Sequence, residues 1–208
     1  MRRPDLAKRT ARLAAAFLLA WTSAGTTLAQ ATPDPLAGPA LLAALRAGGH
    51  TLYFRHTATD FGQSDERYVA GDCTTQRNLT DAGRADARAI GAAVRRLGLP
   101  VGEVLASPYC RTMETAMLMF GRATPSPAAR GGPAQAPPER YAELRELLAT
   151  PPRPGTLRVI ASHGNPFRAI TDAAYLSEGE AAVVAPRGPA GFAVVARVRK
   201  EGWDALAR

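Results

Sequence analysis

Thr51-Leu-Tyr-Phe-Arg-His, residues 51–56, is the stretch on which the reading of this chain turns. Four β-branched, apolar and aromatic residues form a compact run of strand character. It ends without a turn residue, directly on an arginine and a histidine. Two later segments repeat the pattern. Val101 to Ala106 is a second short strand and gives way to Ser107-Pro108, with Arg111 close behind. Leu157 to Ala161 is a third, ending at Ser162-His163-Gly164. Between them lie helical patterns. Thr80 is placed to cap a helix from Asp81 to about Leu97, whose Ile90, Ala93, Val94 and Leu97 recur at helical spacing. Ser107 as cap and Pro108 at the first helical position predict another helix, to about residue 120.

Working outward, Leu41 to Arg46 reads as a short helix stopped by Gly48-Gly49. Residues 139–149 and about 166–175 read as helices, and two strands near 181–185 and 192–198 close the chain. Residues 57–78 are polar and irregular, a loop. Residues 122–138, rich in Pro, Ala and Gly, are expected to form an extended, mobile loop. Short apolar strands alternating with helices indicate an α/β domain with a largely parallel sheet. In such sheets ligands sit outside the carboxyl ends of the strands. Arg55, His56, Ser107, Arg111 and His163 therefore converge on one sheet edge. Each piece alone is ordinary: an Arg-His pair after a strand is usually a satisfied surface pair. Together they supply two histidines, two arginines and two helix N-termini. Arginine forks grip phosphate oxygens in pairs, helix N-termini add N–H donors, and a neutral imidazole is a competent nucleophile. The set points to phosphoryl chemistry.

These residues carry a family resemblance. Phe-Arg-His-Thr-Ala-Thr at 54–59 resembles the Arg-His-Gly signature of the histidine phosphatase superfamily. Leu79-Thr80 with Gly83, the block Ser107-Pro-Tyr-Cys-Arg111-Thr with Thr115-Ala116, and Val159-Ile-Ala-Ser-His163-Gly164 resemble its later blocks, in order. The resemblance implies a phosphoglycerate mutase-like fold, a three-layer α/β/α sandwich with a largely parallel central sheet. It implies that His56 accepts the phosphoryl group, that Arg55 and Arg111 hold its oxygens, and that His163 stabilises it opposite His56, with no metal and no cofactor. Size and leader look most like the small exported bacterial branch. Two departures stand out: Thr57 replaces the signature glycine and is expected to narrow the pocket beside the nucleophile, and the usual glutamate two residues after it is missing. Relatives that cleave alkyl phosphates carry an acid between the second arginine and second histidine blocks. Glu139, Glu143 and Glu146 fall there, and Glu143 is the favoured general acid; Glu178 and Glu180 are outside candidates.

The ends and the composition bound the biology. Arg2, Arg3, Lys8, Arg9 and Arg12, an apolar run from Leu13 to Trp21, and Thr-Leu-Ala-Gln-Ala at 27–31 describe a secretory signal peptide over 1–31, followed by a single domain at 32–208. Export to the periplasm is expected, with no membrane span left after cleavage, since the run is shorter than the roughly 20 residues a helix needs. The formal net charge of +8 falls to about +4 without the leader. Its arginines are scattered, which suits small anionic substrates and argues against nucleic acid. Cys73 and Cys110 are either a disulfide or two buried thiols. His50 and His56 lie roughly 20 Å apart along a strand at about 3.3 Å per residue, too far to share a metal ion. The expected activity is hydrolysis of small phosphomonoesters, envelope sugar phosphates among them. The alternatives are a phosphohistidine phosphatase and a non-catalytic protein that binds a phosphorylated ligand. Nothing in the sequence fixes the oligomeric state.

Overall fold

The computed structural model describes residues 36–171 and 173–208. The signal peptide and cleavage site read at 1–31 lie outside the described residues. Six strands, β1 (Thr51–Arg55), β2 (Val101–Ala106), β3 (Thr124–Pro125), β4 (Leu157–Ser162), β5 (Ala181–Pro186) and β6 (Phe192–Val198), form one sheet in the order β3-β2-β4-β1-β5-β6. β4 lies between β1 and β2 and pairs with both in parallel, as β3 does with β2; β5 runs antiparallel to both its neighbours, β1 and β6. The three strands expected to carry chemistry are thus neighbours, and their carboxyl ends share one edge.

Pleating divides the core in two. Leu52, Phe54, Val159 and Ala161 face one side, with helices α1 (Gly38–Ala47), α2 (Asp81–Arg96) and α3 (Cys110–Phe120) and the buried Trp203. Tyr53, Ile160, Ala182 and Val184 face the other, with α4 (Ala142–Ala149) and α5 (Gly164–Thr171). Alternating residues feed opposite layers because successive strand side chains point to opposite faces. The result is the three-layer α/β/α sandwich, mixed but mostly parallel. Thr80 caps α2 as expected, its Oγ1 accepting the Gly83 N–H at 3.0 Å. Gly83 itself lets α2 close on the segment after His56: a Cβ there would lie 2.1 Å from the Ala58 carbonyl oxygen. Among the described residues no helix is long and apolar enough to cross a membrane.

Three expectations need correction. Ser107-Pro108 does not open α3; the helix begins at Cys110 with Tyr109 as cap and no side-chain capping bond, because Ser107 is drawn to His163 instead. The helix expected to reach residue 175 ends at Thr171. The loop at 122–138 is not a free excursion. It adds β3 to the sheet and a 3-10 turn at Pro127–Ala129, and the fully buried Ala129 offers its carbonyl to Ser162 Oγ at 2.6 Å.

Candidate active site

The edge is assembled by backbone bonds between strand ends. The His56 N–H donates to Ser162 O at 3.0 Å, and the Ser107 N–H to Ala161 O at 2.9 Å. Arg55, His56, Arg111 and His163 line one cleft of about 380 Å³, in the size range of small-molecule sites. The two imidazole rings meet edge to face, centroids 5.6 Å apart.

Each ring has an assignable tautomer. His56 Nδ1 lies 2.9 Å from the Thr57 carbonyl, which can only accept, so Nδ1 carries the hydrogen and Nε2 keeps its lone pair. Arg111 Nη2 lies 3.4 Å from His163 Nδ1 and can only donate, so His163 Nε2 carries the hydrogen and donates to Ser107 Oγ at 2.8 Å. Burial pushes the His56 pKa down to about 3, with Arg111, Arg55 and Arg77 adding to it against the pull of the Thr57 carbonyl. His163 is lowered well below the usual histidine value, by burial first and then by Arg111. Both rings are therefore neutral near pH 7.

The arginines are held from behind. Arg55 donates from Nη1 to Leu176 O at 2.9 Å, and its Nη2 lies 3.4 Å from Glu178 Oε1. Glu178 also accepts from Thr59 Oγ1 at 2.8 Å. It does not line the cleft and sits behind Arg55 and His56, 4.0 Å from His56 Nδ1. Arg111 Nη1 donates to Asp65 Oδ1 at 3.0 Å. The buried Nε atoms of Arg55 and Arg111 have no hydrogen-bond partner among the described residues. Buried donors are usually paired with protein, water or an ion. Arg55 stands 5.0 Å over the Tyr175 ring and Arg111 4.5 Å over the Tyr109 ring. These aromatic faces steady the two guanidinium groups alongside their carboxylate partners without cancelling further charge.

Other expectations fare differently. Thr57 does not line the cleft; it is buried against Thr115, Oγ1 to Oγ1 at 3.3 Å. The N-terminus of α3 offers the cleft less than expected, because the Cys110 N–H donates to Gln76 Oε1 at 2.9 Å. Cys73 and Cys110 are joined by a disulfide, which with Gln76 fastens the 57–78 loop to the start of α3. Glu143 is exposed on the first turn of α4 and lines a neighbouring hollow rather than the cleft; Glu139 and Glu146 are exposed too. Glu180 is bound to Arg197 at 2.8 Å. His50 precedes β1 and lies 3.0 Å from the Gly48 carbonyl through Nδ1.

The sequence reading missed Asp65, Arg77, Arg130 and Arg140, all of which line the cleft. Asp65 is the one carboxylate that does so among the described residues. It also accepts the Arg77 N–H at 2.9 Å. The 122–138 loop supplies Gly131, pressed against the second histidine: a Cβ there would lie 2.8 Å from His163 Cδ2.

Residues 52–127 match the sequence model of the family described as Histidine phosphatase superfamily (branch 1). No curated protein matches the chain. Among solved structures, the protein histidine phosphatase SixA complexed with tungstate is 14% identical over 73% of this chain and 97% of that one, with a TM-score of 0.48. A mutant phosphoserine phosphatase from Entamoeba histolytica, in complex with phosphoserine, is 11% identical over 65% and 89%, TM-score 0.46. A mycobacterial glucosyl-3-phosphoglycerate phosphatase is 15% identical over 66% and 92%, TM-score 0.46.

Proposed function

We propose that this chain, which belongs to the histidine phosphatase superfamily, hydrolyses small phosphomonoesters through a phosphohistidine on His56 and needs no metal. The observation that carries the reading is the pair of neutral imidazoles, centroids 5.6 Å apart, with Arg55 and Arg111 beside them in one cleft. In this reading the phosphoryl oxygens take the free donors of Arg55 and Arg111, drawing Arg111 off His163 Nδ1. His56 Nε2 attacks phosphorus as the ester P–O bond breaks. The Nδ1–H bond to the Thr57 carbonyl steadies the positive charge that the ring acquires. Water then attacks phosphorus, the P–N bond breaks, and orthophosphate leaves. The arginines spread the charge that a metal ion would otherwise neutralise.

The leaving alcohol needs a proton. Asp65, the acidic side chain in the cleft, takes the role that the sequence gave to Glu143: it picks up the proton of the bound monoester monoanion, passes it to the leaving oxygen, and in the second step takes a proton from the attacking water. Its bonds to Arg111 and to the Arg77 N–H also support a second reading, a phosphohistidine phosphatase whose leaving imidazole requires no acid. The leader read at 1–31 and the Cys73–Cys110 bridge support an exported, periplasmic enzyme, with envelope sugar phosphates as the substrate class.

Phosphate release by the purified protein in excess chelator, across alkyl phosphates, aryl phosphates and phosphoramidates, tests the proposal. Turnover that survives chelator and disappears in His56→Ala is expected. Activity that returns only with zinc or magnesium would reject metal independence. Tight binding of phosphorylated compounds without any turnover would make the chain a binding protein.

A further inference from the structure

Five arginines line the cleft, and the proposed chemistry uses two of them. Arg77, Arg130 and Arg140 remain. Among the described residues no carboxylate lies within ion-pairing distance of any of the three. Four arginines outside the cleft do pair with carboxylates: Arg84 with Glu114 at 2.7 Å, Arg96 with Asp204 at 2.6 Å, Arg158 with Glu103 at 2.8 Å, and Arg197 with Glu180 at 2.8 Å. Two of the three remaining cleft arginines stand over aromatic rings instead. Arg77 stands 4.6 Å over Phe61, and Arg130 stands 5.2 Å over Tyr68. The Nε of Arg77 is buried with no partner among the described residues.

This is more positive charge than one phosphoryl group can match. Glu178 beside Arg55 and Asp65 beside Arg111 offset two of the five guanidinium charges, and a phosphomonoester brings about −1.5 to −2 at neutral pH, so the cleft keeps an excess of about one positive charge. Three further guanidinium groups in so small a cleft repel one another and the two on its floor unless a second anion enters. The cleft also has room for it. Past Arg130, Gly131 and Arg140 it adjoins a hollow of about 260 Å³, lined in addition by Tyr141 and Glu143.

Building on the phosphatase reading, we infer that the substrate carries a second anionic group, a phosphate or a carboxylate, on its leaving-group side, held by Arg77, Arg130 and Arg140. Arg55 and Arg111 select the group that is cleaved, and the outer three select what it is attached to. Two charge-assisted contacts of this kind are expected to favour such a substrate at least about tenfold over a phosphomonoester that lacks the second anionic group.

The test uses matched pairs: glycerol 3-phosphate against 3-phosphoglycerate, and glucose 6-phosphate against glucose 1,6-bisphosphate. Affinity is measured by calorimetry on the His56→Ala full chain at about 50 mM salt, where screening is weak, and kcat/KM on the unaltered protein. The compounds with a second anion should bind at least about tenfold tighter, and the preference should shrink at about 500 mM salt. The carboxylate pair and the bisphosphate pair show separately which group the arginines prefer. The double variant Arg130→Gln, Arg140→Gln should lose most of the preference while binding of the partners that lack a second anionic group falls far less. Equal affinity within both pairs would overturn the inference, and so would an equal loss across a pair in the double variant. The paired affinities need no rim variant to fold. The phosphatase reading fails separately: a strong binding preference with no phosphate released by the unaltered protein would reject catalysis and leave the second anion standing.

Discussion

The floor of the cleft comes from strand ends and its rim from loops, and the two are built on different principles. Arg55 ends β1, His56 and His163 directly follow β1 and β4, and Arg111 lies in the first turn of α3; all four are buried or nearly so. Strand pairing fixes Arg55, His56 and His163, while Arg111 is set by the start of α3 and its bond to Asp65. Asp65, Arg77 and Arg130 come from the loops at 57–78 and 122–138, held by a disulfide, aromatic faces and a few side-chain bonds, and Arg140 comes from a 3-10 turn at Pro138–Tyr141. A floor made this way suits one invariant task, gripping a phosphoryl group. The rim can vary in sequence without disturbing the sheet, which is where substrate choice is expected to reside.

Substitutions should separate floor from rim by size of effect. Arg111→Ala is expected to lower kcat about 10³-fold, and Arg111→Lys to restore little, because a single ammonium cannot replace the paired donors. Steady-state kinetics checks this; a loss below about tenfold would place Arg111 outside the transition state. Next in size is the bridge between the two regions. Replacing Cys73 and Cys110 by Ser should cost about 3–4 kcal/mol in the chain-entropy treatment of a loop this long, read from denaturant midpoints. If the bridge holds the rim in place, KM should rise by a larger factor than kcat falls.

The leaving-group acid comes third. Asp65→Asn is expected to slow alkyl phosphates about 10²-fold while aryl phosphates lose little, since a phenolate departs largely unaided. Glu143→Gln should leave both within about twofold, as for a surface substitution. Equal losses across leaving groups in Asp65→Asn would limit Asp65 to positioning Arg111.

The smallest effect is on acid stability. The unfolded chain binds a proton at His56 near the ordinary value of about 6.5, whereas the folded chain resists it down to about 3. Stability from this residue is therefore complete above about pH 6.5 and lost as pH falls, by about 2 kcal/mol between pH 7 and 5. His56→Ala should remove that part of the acid sensitivity. An unchanged slope of unfolding free energy with pH would show that the ring is not buried as a neutral group.

What was legible in the sequence follows the same division. Thr51 to His56 announced its strand by composition and its chemistry by abruptness, and the blocks at Arg111 and His163 did the same. The alternation of strands and helices pointed to an α/β domain with a largely parallel sheet, and the three layers came from the family resemblance. Ser107 was misassigned because Ser-Pro is a common helix opening, and only the tertiary fold shows that His163 competes for its hydroxyl. Thr57 was expected beside the nucleophile, yet its neighbour in space is Thr115, which sequence distance conceals. Residues 122–138 carried every sign of a mobile linker, while the contact that pins them, Ala129 to Ser162, joins residues far apart in the chain. Asp65 and Arg77 sit in an aperiodic loop and offered no signal except their residue types. Glu143 had good helical spacing, which identified a helix face correctly and said nothing of which cavity that face borders.

The central claim is that His56 Nε2 becomes phosphorylated. Rapid mixing with an aryl phosphate, followed by quenching in alkali and peptide mapping by mass spectrometry, tests it directly. The account predicts a burst of phenol approaching one equivalent per chain and an acid-labile phosphoryl group on His56, with neither in His56→Ala. Full turnover without a burst would leave the intermediate unsupported. A phosphoryl group on any other residue, or turnover retained in His56→Ala, would contradict the account.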